Sequence, residues 1–199
     1  MRWEHLFADL ESQLDAEQRE EERALRIEEE RLRLARLGLR DRFVAMMRAE
    51  GADSVWTVRI ELQGGGAHAV RPVAFGRDWL SGELREPGAR VRQCLVPLDR
   101  IAAVVPAARQ LAGSLEPVPE ATAGLADRMG LPFVLRDLCR RRTGVSLTTL
   151  DGVVHGTIDR VGRDHLDLAV HEPSAPRRER EVRQYRIVPL DRIALVVFD

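Results

Sequence analysis

The chain has 199 residues, 31 of them basic and 32 acidic, for a formal net charge of −1. Every basic residue is Arg, there is no Lys or Asn, and Tyr185 is the single Tyr, a bias toward GC-rich codons. A balance this close to zero excludes a polycation that coats nucleic acid by bulk charge, though not a local basic face.

No apolar run is long enough for a transmembrane helix, and MRWEHLFADLESQ lacks the apolar core and cleavage site of a secretory signal. Cys94 and Cys139 match no metal or redox spacing. A cytoplasmic protein with no membrane partner and no cofactor is therefore expected.

Residues 3–37 contain no Gly or Pro and are rich in Glu, Arg, Leu and Ala, so a single long helix is expected. Its first turns carry Trp3, Leu6, Phe7, Leu10 and Leu14 on one face. Residues 1–30 hold 4 Arg against 11 acids, whereas residues 31–48 hold 6 Arg against 1 acid. Two readings stay open. The helix docks on the rest of its own chain, or its apolar face meets a protein partner or a second copy.

Behind the helix the chain repeats itself. VPLDRIA occurs at 96–102 and again at 188–194, FGRDWL (75–80) matches VGRDHL (161–166), and VRQ precedes both copies of the first string. The offset is 92 at the ends and 86 in the middle, so each copy carries six extra residues on a different side of its GRD turn. Such length changes belong in loops. The copies span about 38–106 and 130–199, joined by a linker at 107–129 that contains Pro117 and Pro119.

Each copy reads as a short helix and then five short strands. The first helix carries Phe43, Val44, Met46 and Met47, and the second Phe133, Val134, Leu135 and Leu138. In copy two the strands are expected at 145–150, 153–161, 165–171, 182–188 and 193–198. Asp151-Gly152 signals the first hairpin and Gly162-Arg163-Asp164 the next turn. Pro97 and Pro189 fall between the last two strands, where a missing amide does little harm.

A helix and five bent strands in so few residues suggest a small closed barrel. VSLTTLDGVVHGTIDRVGRDHLDL (145–168) and YRIVPLDRIALV (185–196) resemble the Sm-like family, with Gly156 as its bend glycine. The resemblance implies an α+β chain: a long N-terminal helix followed by two Sm-like, SH3-like barrels, each with a leading helix. It also implies RNA binding and assembly through the fourth and fifth strands. The sequence departs from the family's RNA pocket, because Gly162-Arg163-Asp164-His165 contains no Asn and Pro189-Leu190-Asp191-Arg192 no Arg-Gly. Copy one departs further, with Val70 in place of Gly156 and Pro72 in place of Ile158.

The opening pattern Trp3, Leu6, Phe7, Ala8, Asp9, Leu10, Glu11 is also similar to proteins of high-GC Gram-positive bacteria, some labelled Fis-type regulators. A Fis-type chain ends in a helix-turn-helix. This one ends in VPLDRIALVVFD, which reads as strand.

Binding residues are expected in three places. Alternation puts Leu80, Leu166 and Leu168 inside and Trp79 outside, where it packs on the second copy, on the N-terminal helix or on an external partner. Arg140, Arg141 and Arg142 end the copy-two helix, where cations also complement the helix dipole. Arg177, Arg178, Arg180, Arg183 and Arg186 lie in and after the copy-two insertion. If the two Arg clusters adjoin, they form a face for phosphates; otherwise they are a solvated loop and a helix end.

His155, His165 and His171 read as a scattered surface set, and each Cys as a small buried residue rather than a nucleophile. No catalytic residues are visible, so the expectation is a non-enzymatic scaffold or adaptor. RNA is one candidate partner, and pure protein–protein interaction is the alternative.

Overall fold

The computed structural model describes residues 2–51, 56–118, 124–173 and 181–199. The chain divides into two compact units, Met1–Gly38 and Leu39–Asp199.

The first unit is one helix, α1 (Arg2–Ala35). Arg26 pairs with Glu22 at 2.9 Å (i,i+4) and Arg33 with Glu30 at 2.6 Å (i,i+3). Such exposed pairs add a few tenths of a kcal/mol each. The helix ends at Ala35, three residues before Gly38.

The second unit opens with α2 (Leu39–Glu50), which buries Phe43, Ala45 and Met46 and ends at Gly51 in the left-handed region (φ 82°). Five strands follow: β1 (Val58–Leu62), β2 (Ala67–Phe75), β3 (Trp79–Leu84), β4 (Arg92–Pro97) and β5 (Ile101–Val105). The connection is not a bare linker. It contains α3 (Ala108–Gly113) and α4 (Leu125–Arg128), and it is tied down where Gln110 donates to the Thr57 carbonyl and Arg42 to the Ser114 hydroxyl.

The repeat then recurs as α5 (Leu131–Arg141), β6 (Gly144–Thr149), β7 (Gly152–Val161), β8 (His165–Val170), β9 (Gln184–Pro189) and β10 (Ile193–Phe198). Pro132 sits in the first turn of α5, where its missing amide costs nothing. The buried positions of α5 are Leu131, Leu135 and Leu138 at i, i+4, i+7, whereas Phe133 is exposed.

The two closed barrels expected from the sequence are not resolved as separate bodies. All ten strands make one open antiparallel sheet, ordered β5-β1-β2-β3-β4-β10-β6-β7-β8-β9. Each copy contributes five strands in the same internal order, and the copies meet where β4 pairs with β10. The register there is Val196↔Leu95, Val197↔Cys94 and Phe198↔Gln93.

The two cores are exchanged across this joint. Ala194, Leu195 and Val197 of β10 pack with Phe43, Val70 and Leu80 of copy one. Trp79 and Leu95 of copy one pack with Leu135, Ile158 and Leu168 of copy two. Neither copy buries its apolar residues alone, so the sheet continues instead of closing twice.

Local details explain where the copies differ. Both long strands break register at the same repeat position, between Pro72 and Ala74 in β2 and between Ile158 and Arg160 in β7. A bulge accommodates Pro72 at the place where Ile158 stands in the second copy. At Gly156 a Cβ would lie 2.4 Å from the Ala169 carbonyl oxygen, and at Gly82 one would lie 2.4 Å from that of Arg71. Copy one has therefore moved its close-approach glycine across to the partner strand, opposite Pro72 and against the Val70 side chain.

The glycines of the GRD turns serve contact rather than positive φ. A Cβ on Gly76 would meet the Trp79 ring at 2.2 Å, and one on Gly162 the His165 ring at 2.6 Å. The first copy-two hairpin is also shifted by one residue. Thr149 pairs with Gly152, so Leu150 and Asp151 form the turn.

Candidate functional site

Among the described residues, one side of β5 and one side of β9 have no neighbouring strand. The duplication supplies its own control, because the repeat-equivalent strands β10 and β4 are paired inside the chain. Leu95 in β4 is 1 % exposed, while Ile187, its equivalent in β9, is 73 % exposed. Val197 in β10 is 6 % exposed, while its equivalent Val105 in β5 is 47 % exposed. Strand β5 reads IAAVV and the first five residues of β10 read IALVV, one difference over that stretch; Phe198, which ends β10, is replaced by Pro106 in copy one.

Beside β9 lies a groove of about 580 Å³. Arg142, Arg160 and Arg186 line it together with Tyr185 and Ile187, and Asp159 and Asp167 complete its wall. Each Asp already holds an Arg: Arg142 lies 3.4 Å from Asp159, and Arg160 lies 3.7 Å from Asp167. Arg142 caps α5 in a left-handed conformation (φ 56°), its amide bonding the Cys139 and Leu138 carbonyls. That cap turns the chain from α5 toward β6 and brings the helix end to the β7–β9 surface.

Arg142 and Arg186, from the two sequence clusters, therefore meet in one groove. Their neighbours do not join them. Arg140 and Arg141 both bind Asp137, at 2.5 and 2.7 Å, and Arg183 pairs with Glu172 at 2.6 Å. Arg177, Arg178 and Arg180 lie outside the described residues. Arg160 was not singled out in the sequence, since a lone Arg in a strand carries no local signal.

Trp79 is covered by its own chain. It is buried in the second core and its indole N–H donates to the Met129 carbonyl at 3.0 Å, so it offers no surface to an outside partner. Phe7 and Leu14 on α1 are exposed, while the side chains of Trp3, Leu6 and Leu10 lie outside the described residues.

Two of the three copy-two histidines are neighbours rather than scattered. The rings of His155 and His171 stand edge to face with centroids 5.3 Å apart. His171 is buried and bonds Thr157 through Nε2 and the Glu172 carbonyl through Nδ1. Burial, together with the nearby His171, pushes the His155 pKa down. His165 stands at the other end of β8, bonded to Asp164. Among the described residues no group of three or more His, Cys, Asp or Glu could hold a metal ion. Burial pushes the Cys94 thiol up to about 12, which keeps it protonated and unreactive.

No protein-family model, curated protein or solved structure matches the chain.

Proposed function

We propose that the chain is a non-enzymatic scaffold of Sm-like kind, two small barrel-like copies fused side by side, whose remaining edges dock further strands. One observation carries this reading: the chain already contains one such joint, β4 on β10, and leaves the equivalent surfaces β9 and β5 exposed. Unpaired apolar edges are liabilities that proteins usually cover. The occupant best matched to both edges is a second copy. Its β9 would lie on β5 in the register of the internal joint, with Ile187 opposite Val104 and Arg186 opposite Val105. Such a head-to-tail contact closes into a ring or continues as a filament.

Sedimentation velocity over a range of protein concentrations tests this. The full chain should associate reversibly, and Val105→Asp, an exposed position, should leave a folded monomer. A chain that stays monomeric up to millimolar concentration rejects self-assembly.

RNA is the second partner this reading admits, because Arg142 and Arg186 line one groove with the exposed ring of Tyr185. Its sign would be binding of single-stranded RNA that weakens steeply with salt.

A further inference from the structure

We propose that the groove beside β9 is a site for a nucleoside phosphate, and that its occupation displaces a second copy from that edge. The first half stands on the groove alone; the second rests on the self-assembly reading above.

The lining has the two chemistries such a ligand needs. Arg142, Arg160 and Arg186 line the groove, and guanidinium suits phosphate by its planar donor fork. Asp159 and Asp167 leave the groove with one net positive charge, and both already face an Arg. Tyr185 is 62 % exposed beside them and offers a flat face on which a base can stack. A volume of about 580 Å³ falls within the range for small-ligand sites, roughly 300–1,000 Å³.

The repeat shows that this is a departure rather than an inherited surface. The copy-one counterparts of Tyr185, Arg186 and Ile187 are Gln93, Cys94 and Leu95, and both Cys94 and Leu95 are buried in the internal joint. Copy two has a charge at the Cys94 position. The Arg186 side chain is exposed and helps to line the groove.

Ile187 and the β9 edge cannot serve both occupants. A ligand lying against Ile187 holds the surface that a second copy must bury, as Leu95 is buried by β10. Ligand binding and assembly are thus negatively linked, and each weakens the other by the same factor.

Isothermal titration of the full chain with adenosine monophosphate, inorganic phosphate and a hexaadenylate RNA tests the site. Adenosine monophosphate should bind at least tenfold more tightly than phosphate, because phosphate has no ring to stack. The double variant Arg142→Asn with Arg160→Gln should weaken it at least tenfold. Asn tolerates the left-handed cap, and neither position is on β9, so association should persist. Tyr185→Leu should weaken the nucleotide and leave phosphate unchanged. Comparable affinity per site for nucleotide and hexamer marks a free nucleotide as the ligand, and a gain of more than tenfold marks a strand.

No heat with any probe at millimolar concentration, or unchanged affinity in the double variant, overturns the site. Sedimentation with saturating nucleotide tests the linkage. Wild type should shift toward monomer and the double variant should not; a bound wild type with unchanged association overturns the competition. Should the chain be monomeric without ligand, self-assembly fails while the calorimetry still decides the groove.

Discussion

Leu95 and Ile187 occupy one position of the repeat, and truncating each to Ala should affect different equilibria. Leu95 is 1 % exposed within the second core, so Leu95→Ala removes buried carbons and leaves a cavity, at a cost of about 2–5 kcal/mol of unfolding free energy. Ile187 is 73 % exposed, so Ile187→Ala should change unfolding by less than about 0.5 kcal/mol. Its effect belongs to association. Fully burying an Ile is worth about 1.5–3 kcal/mol, and since roughly three quarters of this one remains to be covered, about 1–2 kcal/mol is at stake. That corresponds to a dissociation constant weakened roughly 5- to 30-fold. Urea unfolding at low protein concentration gives the first quantity and sedimentation equilibrium the second. Equal losses of stability in the two variants, or a self-associating Ile187→Ala protein with an unchanged constant, would refute the reasoning.

Three further predictions concern the fold. With Cys94 buried and its thiol pushed up to about 12, the native protein at pH 8 should react with an aromatic disulfide at one thiol, Cys139, and the urea-unfolded protein at two; rapid titration of both in the native state would contradict the buried placement. Because the His155 pKa is lowered from 6.5 in the folded chain, the unfolded chain binds the proton first as pH falls. Its contribution to stability is complete above about pH 6.5 and is lost below that, levelling off once folded His155 is itself protonated. His155→Gln should flatten the urea midpoint between pH 7.5 and 5, and an identical slope in variant and wild type counts against this. Gly76→Ala pushes a Cβ into the buried Trp79 ring and should cost about 1–3 kcal/mol. Gly162→Ala meets the exposed His165 ring, which can swing away, and should cost under about 1 kcal/mol by the same overpacking argument; a reversed order in thermal melts would contradict the contact explanation.

Local structure was legible because its signals are local. The long helix follows from a stretch without Gly or Pro, and copy-two strands lie within about two residues of where Asp151, Gly162 and Pro189 delimit them. The repeat, read from VPLDRIA and GRD, carried over to the less regular first copy. What the sequence hid is long-range. The β4–β10 pairing joins a fourth strand to a fifth, the strands through which the resemblance implied assembly, but nothing in residues 92–97 or 193–198 states that the joint forms within one chain. Alternation correctly set Trp79 opposite Leu80, yet the side away from one core proved to be the inside of the other. Gly156 was read as a required bend, but the requirement is a close approach that Gly82 meets from the opposite strand. The groove depended on a left-handed cap at Arg142, a conformation no Arg advertises, and on Arg160, which belongs to neither Arg cluster in the sequence.

Disulfide trapping between two differently labelled chains tests the head-to-tail joint most directly. One chain carries Val105→Cys and the other Arg186→Cys, both with Cys139→Ser, and they are mixed under mild oxidation. The internal pair Val197↔Cys94 sets the expected register, so the mixed dimer should form rapidly, and replacing Val105→Cys by Ala103→Cys should abolish it. Failure to trap the Val105–Arg186 pair, or equal trapping at the shifted position, would contradict assembly by repetition of the internal joint.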